Sequence, residues 1–276
     1  MKVAEALREA STQLAATSDT ARLDAEVLMA HALGVLRSEM LLRCMMDPVP
    51  AAFGGFVERR AEHEPVAYIT GEQEFYGLNL AVAPGALIPR GDSETLIEAS
   101  RKAFADRDPP ESILDLGTGS GALLLAAMSV FPEATGLATD RSPAVESIVR
   151  RNIARHCEGR TVSFELADWH QLDWADALGS FDLVLCNPPY VKADAALDPD
   201  VSEYEPAEAL FAGPEGLDDY RVLIPQMHRL LNLEGVAVFE IGASQAESVA
   251  QIAQTAGFAV EIRQDLANRP RCVILR

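Results

Sequence analysis

Over residues 1 to about 70 the apolar positions recur every three or four residues, with polar residues between them, which is a helical period. Val3, Leu7 and Leu14, with alanines between, predict a first amphipathic helix. Leu23, Val27, Ala30 and Leu33 predict a second, starting near Asp19-Thr20 and ended by Gly34. A third is expected through Ser38 to Met46 and a fourth from about Ala51 to His63. None of these helices carries a catalytic spacing. His31 reads as a packing or capping residue, and Met45, Met46, Phe53 and Phe56 read as core.

Between Glu74 and Pro89 the period changes. Phe75-Tyr76-Gly77-Leu78-Asn79-Leu80-Ala81-Val82 alternates and turns like a hairpin, with Gly77 and Pro84-Gly85 as punctuation. It reads as a linker between two domains. In the next stretch, Leu87 to Glu94, Asp92 or Ser93 can cap a helix running to about Phe104. Arg90 and Glu94 have two readings here, as groups near a ligand or as a salt bridge fixing the junction.

From Ile113 onward short apolar runs alternate with helical ones. Strands are expected at Ile113 to Leu116, Ala134 to Thr139, Val162 to Leu166, Phe181 to Leu185, Gly235 to Ile241, Phe258 to Ile262 and Cys272 to Leu275. Helices are expected at Ala122 to Val130, Asp218 to about Leu231, and Ser244 to Thr255. A strand, then close glycines, then a helix is the first unit of a doubly wound α/β sheet.

Two places in this pattern carry chemistry. The first is Gly117-Thr118-Gly119-Ser120-Gly121, where small residues let a ligand approach the backbone at a helix N-terminus. Asp140, ending the second strand, is placed to accept hydrogen bonds from ribose hydroxyls, so the loop wants a nucleoside. With Ala122 after it, the loop also satisfies the relaxed dinucleotide fingerprint, which leaves a dehydrogenase open. Asp168-Trp169, after the third strand, offers a carboxylate for an adenine amino group and a ring for its face, while Trp174 reads as core.

The second place is Cys186-Asn187-Pro188-Pro189-Tyr190, at the end of the fourth strand. Two prolines supply no backbone donors and cannot extend a ladder, but they keep their carbonyls. They also hold the residues before them extended. The Asn187 side-chain oxygen, a proline carbonyl and the Tyr190 ring are thereby fixed around a space that suits a planar group with two N–H donors. Hydride transfer has no evident use for such a turn. After it, residues 192 to 205 read as a loop over the site, in which Glu203 and Glu205 can touch substrate or be solvated. Glu240 ends a strand near the same cleft and is given no role.

Composition narrows the partners. At 276 residues, with 49% apolar residues, the chain has ample core and a length at which two domains are a fair expectation. A formal charge of −19 argues against a protein that wraps nucleic acid. Cys44, Cys157, Cys186 and Cys272 lack metal-ligand or redox spacing and read as structural thiols of a reducing compartment. With no signal-like start and no apolar run long enough to span a bilayer, the expected location is cytoplasmic, without membrane or metal.

Asn-Pro-Pro-Tyr in this setting resembles the signature of S-adenosylmethionine-dependent methyltransferases acting on amide or exocyclic amino nitrogens. Together with Leu87 to Arg90, Asp115 to Gly121, Asp140, Asp168-Trp169, Glu205-Pro206, Gly213 to Leu217, Phe239 to Gly242 and Asp265-Leu266, it resembles the bacterial release factor glutamine methyltransferases over nearly the whole chain. The resemblance implies a small helical substrate-recognition domain at 1–73, a hairpin linker at 74–89 and a methyltransferase domain at 90–276. That last domain would have a seven-stranded, mostly parallel, Rossmann-like sheet whose last strand is antiparallel. It implies S-adenosylmethionine as cofactor, held by Gly117, Thr118, Gly119, Ser120, Gly121, Asp140, Trp169 and Asn187, to which the reading of the residues above adds Asp168. The catalytic motif would be Asn187, Pro188, Pro189 and Tyr190. The implied substrate is the glutamine of the Gly-Gly-Gln motif in class I peptide chain release factors; separately, a monomer is expected. Glutamine methylation of a ribosomal protein and methylation of a DNA or RNA amino group remain as alternatives. One departure is Gly91, where the family usually has Pro, and it puts the rigidity of Arg90 in question.

Overall fold

The computed structural model describes all 276 residues. They divide into two compact units: residues 1–72 with 197–205, and residues 73–196 with 206–276.

The smaller unit is helical. α1 (Val3–Leu14) buries Val3, Ala6, Leu7, Ala10 and Leu14, one face at helical spacing, and Glu5 accepts the Lys2 amide at its start. α2 (Ala21–Leu33) ends at Gly34 in the left-handed conformation, as the glycine suggests. The third expected helix is a short α3 (Arg37–Glu39) that widens into a π-helical turn over Met40–Cys44 and buries Met40. α4 (Phe53–Ala61) follows, and then α5 (Val66–Thr70), which has only five residues and no readable periodicity. A buried ion pair organises the unit. Arg60 Nε donates to Asp24 at 2.7 Å, and Asp24 also accepts the Ser18 and Thr20 hydroxyls, each at 2.8 Å, so neither buried charge is left uncompensated. His31 is exposed and tilts against Phe56 at 5.3 Å between ring centres, a packing role.

The polar loop after Tyr190 contains an element the pattern hides, α9 (Pro199–Ser202), within the segment that belongs to this helical unit. Tyr204 donates to the Glu62 carbonyl at 2.6 Å, and Arg60 reaches Asp200 at 3.7 Å. The preceding part of the loop stays with the larger unit, where Val191 donates to the Leu210 carbonyl at 2.8 Å.

The hairpin is β1 (Glu72–Phe75) and β2 (Leu78–Ala81), joined by Tyr76 and Gly77, both at positive φ, 50° and 77°. A tyrosine there is unfavourable by itself. It is held by the Glu94 carboxylate on its amide at 2.8 Å and by Glu98 on its hydroxyl at 2.6 Å. The far strand is fixed by Asn152, whose amide exchanges two hydrogen bonds with the Ala81 backbone and gives a third to the Ser120 carbonyl. The segment read as a linker is therefore built into the larger unit.

That unit is a seven-stranded sheet in the order β5-β4-β3-β6-β7-β9-β8. The strands are β3 (Ser112–Leu116), β4 (Thr135–Asp140), β5 (Val162–Leu166), β6 (Phe181–Cys186), β7 (Leu231–Glu240), β8 (Val260–Gln264) and β9 (Pro270–Leu275). All neighbours are parallel except β9, which runs antiparallel to both β7 and β8. α6 (Glu94–Ala103), α7 (Ala122–Val130) and α8 (Glu146–His156) form a core with one face, and α10 (Asp218–Leu230) and α11 (Ala246–Thr255) with the other. Successive strand residues divide between the two: Leu183 and Leu185 face the first core, Val184 and Cys186 the second. This is the class I methyltransferase fold. The strand order reverses at β3, with β4 on one side and β6 on the other, and in such sheets ligands bind beyond the carboxyl ends of the strands at that point.

Candidate active site

Beyond the ends of β3, β4 and β6 lies a cleft walled by Gly117, Thr118, Gly119, Ser120, Asp140, Trp169, Asn187 and Pro189, with Phe75, Leu87, Pro89, Leu123 and Val145 as apolar surface. The glycine loop is tied to both neighbouring strands. Thr118 donates its amide to the Thr139 carbonyl at 2.8 Å and its hydroxyl to Asp115 at 2.6 Å. Asp115 is buried behind the loop, and one of its oxygens has no partner. Burial pushes its pKa up to about 7, against the pull of the Thr118 hydroxyl and the Leu124 amide. Gly121 sits outside the cleft wall as the residue before α7, with φ of 86°.

Asp140 stands at the rim of the loop. Its two oxygens accept the Gly119 amide at 3.0 Å and the Ser142 amide at 2.9 Å, which sets the carboxylate facing the cleft. Burial raises its pKa, and those two amides hold the rise back. Each carboxylate oxygen has a second lone-pair direction for a ligand hydroxyl.

Trp169 enters the cleft wall from the turn after β5. Its indole N–H donates to Asp219 at 2.6 Å, and His170 Nε2 donates to the same oxygen at 3.1 Å. The six-membered ring lies so close to Gly117 that a Cβ at that position would stand 3.0 Å from it, and φ there is 69°. Only glycine fits. Asp168 is not in the wall; its Oδ1 accepts the His170 amide at 3.0 Å, closing the turn that carries Trp169. Trp174 packs half-buried on the core, as its sequence context suggests.

Asn187 and Pro189 reach the cleft from β6, whereas Pro188 is buried and Tyr190 turns toward β7. The Tyr190 hydroxyl donates to Glu240 Oε1 at 3.1 Å, and the Tyr190 carbonyl accepts from Gln245 Nε2 at 3.0 Å. Burial and the adjacent Glu240 carboxyl push the Tyr190 phenol well above its usual range. Glu240 is itself buried, with its pKa raised by desolvation while Ser93 and the Arg271 guanidinium oppose the rise.

Arg90 lines the same cleft. The residues after it are firmly held despite Gly91: Ser93 donates its amide to the Arg90 carbonyl at 3.0 Å, and Asp92 takes Arg271 at 2.8 Å and Arg269 at 3.2 Å. Arg271 also approaches Asp265 at 3.5 Å, within a buried cluster. Glu94, the other residue with two readings, is not in the cleft wall; it accepts the Tyr76 amide at 2.8 Å and so braces the hairpin within the larger unit. No group of His, Cys, Asp or Glu side chains is arranged to hold a metal ion, and no helix is long and apolar enough to cross a membrane.

Comparison with known proteins extends this picture over the whole chain. Residues 5–71 match the PrmC N-terminal domain and residues 108–267 a methyltransferase domain. A release factor glutamine methyltransferase of Cereibacter sphaeroides is 38% identical, covering 100% of this chain and 99% of that protein. The chain belongs to the release factor glutamine methyltransferases. A second family member, from Rhodospirillum rubrum, is 38% identical over 92% of this chain and 78% of its own. Among solved structures, the hMettl16 catalytic domain in complex with MAT2A 3′UTR hairpin 6 has a TM-score of 0.56 at 13% identity, covering 72% of this chain and 76% of that one. That likeness speaks to the fold alone.

Within this family member three residues of the site's support escape the sequence pattern: Asp219, Glu240 as a partner of Tyr190, and Gln245. Each acts across about fifty residues of chain. Glu240 had its place at a strand end near the cleft as a hint, and Gln245 only the general one that a turn with two prolines has carbonyls to satisfy and few donors of its own.

Proposed function

We propose that the cleft binds S-adenosylmethionine and that the chain methylates the side-chain amide nitrogen of the glutamine in the Gly-Gly-Gln motif of class I release factors. The observation that carries this reading is that Asn187 and Pro189 share one cleft wall with the glycine loop and Asp140. A cofactor-binding surface and an amide-binding turn are thus side by side. The wall fits the cofactor in kind: a carboxylate for ribose hydroxyls, backbone amides at a helix start, and aromatic and apolar surface for a base. When bound, S-adenosylmethionine supplies an electrophilic methyl group.

The chain's own contribution is orientation. An amide nitrogen is a poor nucleophile because its lone pair is delocalised into the carbonyl. The Asn187 side-chain oxygen and a proline carbonyl accept its two hydrogens, which favours a more pyramidal nitrogen with the lone pair turned into the cleft. Tyr190, turned toward β7, anchors the end of the turn through Glu240 and Gln245. No strong base is required, since the product proton leaves to water after transfer. The buried Asp115 and Glu240 stand outside the cleft wall, consistent with a mechanism that runs on placement and electrostatics.

We assign the helical part, 1–73, to recognition of the release factor and 90–276 to catalysis, with the 74–89 segment, built into the larger unit, adding Phe75, Leu87 and Pro89 to the cleft wall. The match of residues 5–71 to the PrmC N-terminal domain supports that assignment. An enzyme with this substrate works in the cytoplasm, as a monomer on this reading. The test is methyl transfer from labelled S-adenosylmethionine to an unmodified release factor and to its variant with Glu in place of the motif glutamine. Label in the first and none in the second is expected; equal label in both overturns the assignment of the acceptor.

A further inference from the structure

We propose that Gln245 and Glu240 are positioning residues for the turn that holds the substrate amide, gripping Tyr190 at its carbonyl and at its hydroxyl. The proposal deepens the functional reading above and rests on it.

The turn has an intrinsic weakness. Pro188 and Pro189 have no N–H, so the segment from Asn187 to Tyr190 cannot be fixed by a ladder of its own donors. Its placement has to come from elsewhere. Gln245, buried before the start of α11, supplies it with a fully used amide. Nε2 donates to the Tyr190 carbonyl at 3.0 Å and to the Gly216 carbonyl at 2.9 Å, while Oε1 accepts the Gly242 amide at 2.9 Å. Three chain segments meet on one side chain. Gly216 packs so closely that a Cβ there would lie 2.2 Å from the Tyr190 oxygen, and φ is 70°, so the carbonyl is boxed in from a second side.

The other end of Tyr190 is held independently. Its hydroxyl donates to Glu240 Oε1 at 3.1 Å, and the Glu240 backbone carbonyl accepts the buried Tyr220 hydroxyl at 2.7 Å, which fixes the end of β7. Glu240 Oε2 is buried without a partner. Its carboxyl is desolvated, with the Arg271 guanidinium and Ser93 offsetting part of that cost, so the hydrogen bond to Tyr190 forms in a low-dielectric setting that strengthens it. With both ends fixed, and two stiff prolines between, the Asn187 side chain inherits its position. Reaction rates are steep in such placement: a displacement on the order of 1 Å costs roughly a hundredfold.

The experiment uses the full chain with an unmodified release factor. Gln245→Met keeps the volume and donates nothing, and Glu240→Gln keeps an oxygen for the Tyr190 hydroxyl while Glu240→Ala removes it. Expected in Gln245→Met are a kcat at least ~10-fold lower, S-adenosylmethionine affinity within about twofold of wild type, and faster amide hydrogen exchange across residues 190–193. Glu240→Gln should keep most of the turnover, Glu240→Ala should match Tyr190→Phe, and the double variant should lose no more than either single one. Unchanged exchange at 190–193 in Gln245→Met overturns the proposal, as does a loss of cofactor affinity equal to the loss of kcat. Should Gln245→Met not fold, Gly216→Ala strains the same carbonyl contact and is read by the same two measurements. If the wild-type protein transfers no methyl to a release factor, the functional reading fails, and the exchange measurement still decides whether Gln245 fixes the turn.

Discussion

The indole N–H of Trp169 and the carboxylate of Asp219 meet at 2.6 Å, across fifty residues of chain, and the contact fixes the ring against Gly117 in the cleft wall. A residue of the first turn of α10 therefore shapes a surface at the end of β3.

Asp219→Ala should weaken S-adenosylmethionine binding about tenfold, because a buried indole donor left unpaired costs on the order of 1–3 kcal/mol and the ring is freed to move. At saturating cofactor kcat should stay within a few-fold. Calorimetric titration beside steady-state kinetics separates the two.

Asn187→Ala should have the opposite signature. Its oxygen is assigned to the substrate amide, so turnover should fall roughly 100-fold or more while cofactor affinity changes little. Equal losses in both would make Asn187 chiefly a cofactor residue.

Asp115 predicts a pH dependence of stability. Its carboxyl titrates near the ordinary 3.8 in the unfolded chain and at about 7 in the folded protein. Between those values the unfolded chain has lost a proton that the folded protein keeps, so rising pH favours unfolding through this group, by at most ~1.4 kcal/mol per pH unit. Below the range both states are protonated and above it both are ionised, so the slope vanishes. Asp115→Asn should flatten the decline in thermal stability between pH 4 and pH 7, measured by calorimetric scans. An unchanged slope would contradict the assignment.

Much of this site was legible because its chemistry is local in sequence. Gly117 to Ser120 and Asn187 sit directly after a strand and Asp140 ends one, and the parallel order of β4, β3 and β6 brings those ends together. The support was not legible for the opposite reason. Gln245 and Asp219 act on residues 55 and 50 positions away, and an isolated Gln or Asp at a helix start carries no mark of its partner. Glu94 had two readings because its partner, the Tyr76 amide, depends on a tight turn with a tyrosine at positive φ, which no periodicity reveals. The five-residue α5 and the four-residue α9 are too short to show a helical period at all. At Gly91 the missing proline is offset by Asp92, whose ties to Arg269 and Arg271 depend on β9 returning to that point.

The most direct measurement is peptide mass spectrometry on a purified, unmethylated class I release factor incubated with this protein and S-adenosylmethionine, with a ribosomal fraction in parallel. A single methyl on the glutamine of Gly-Gly-Gln, and none in the ribosomal fraction, is the predicted result. An unmodified release factor beside a methylated ribosomal protein would contradict the substrate assignment and, with it, the role given to the helical N-terminal part.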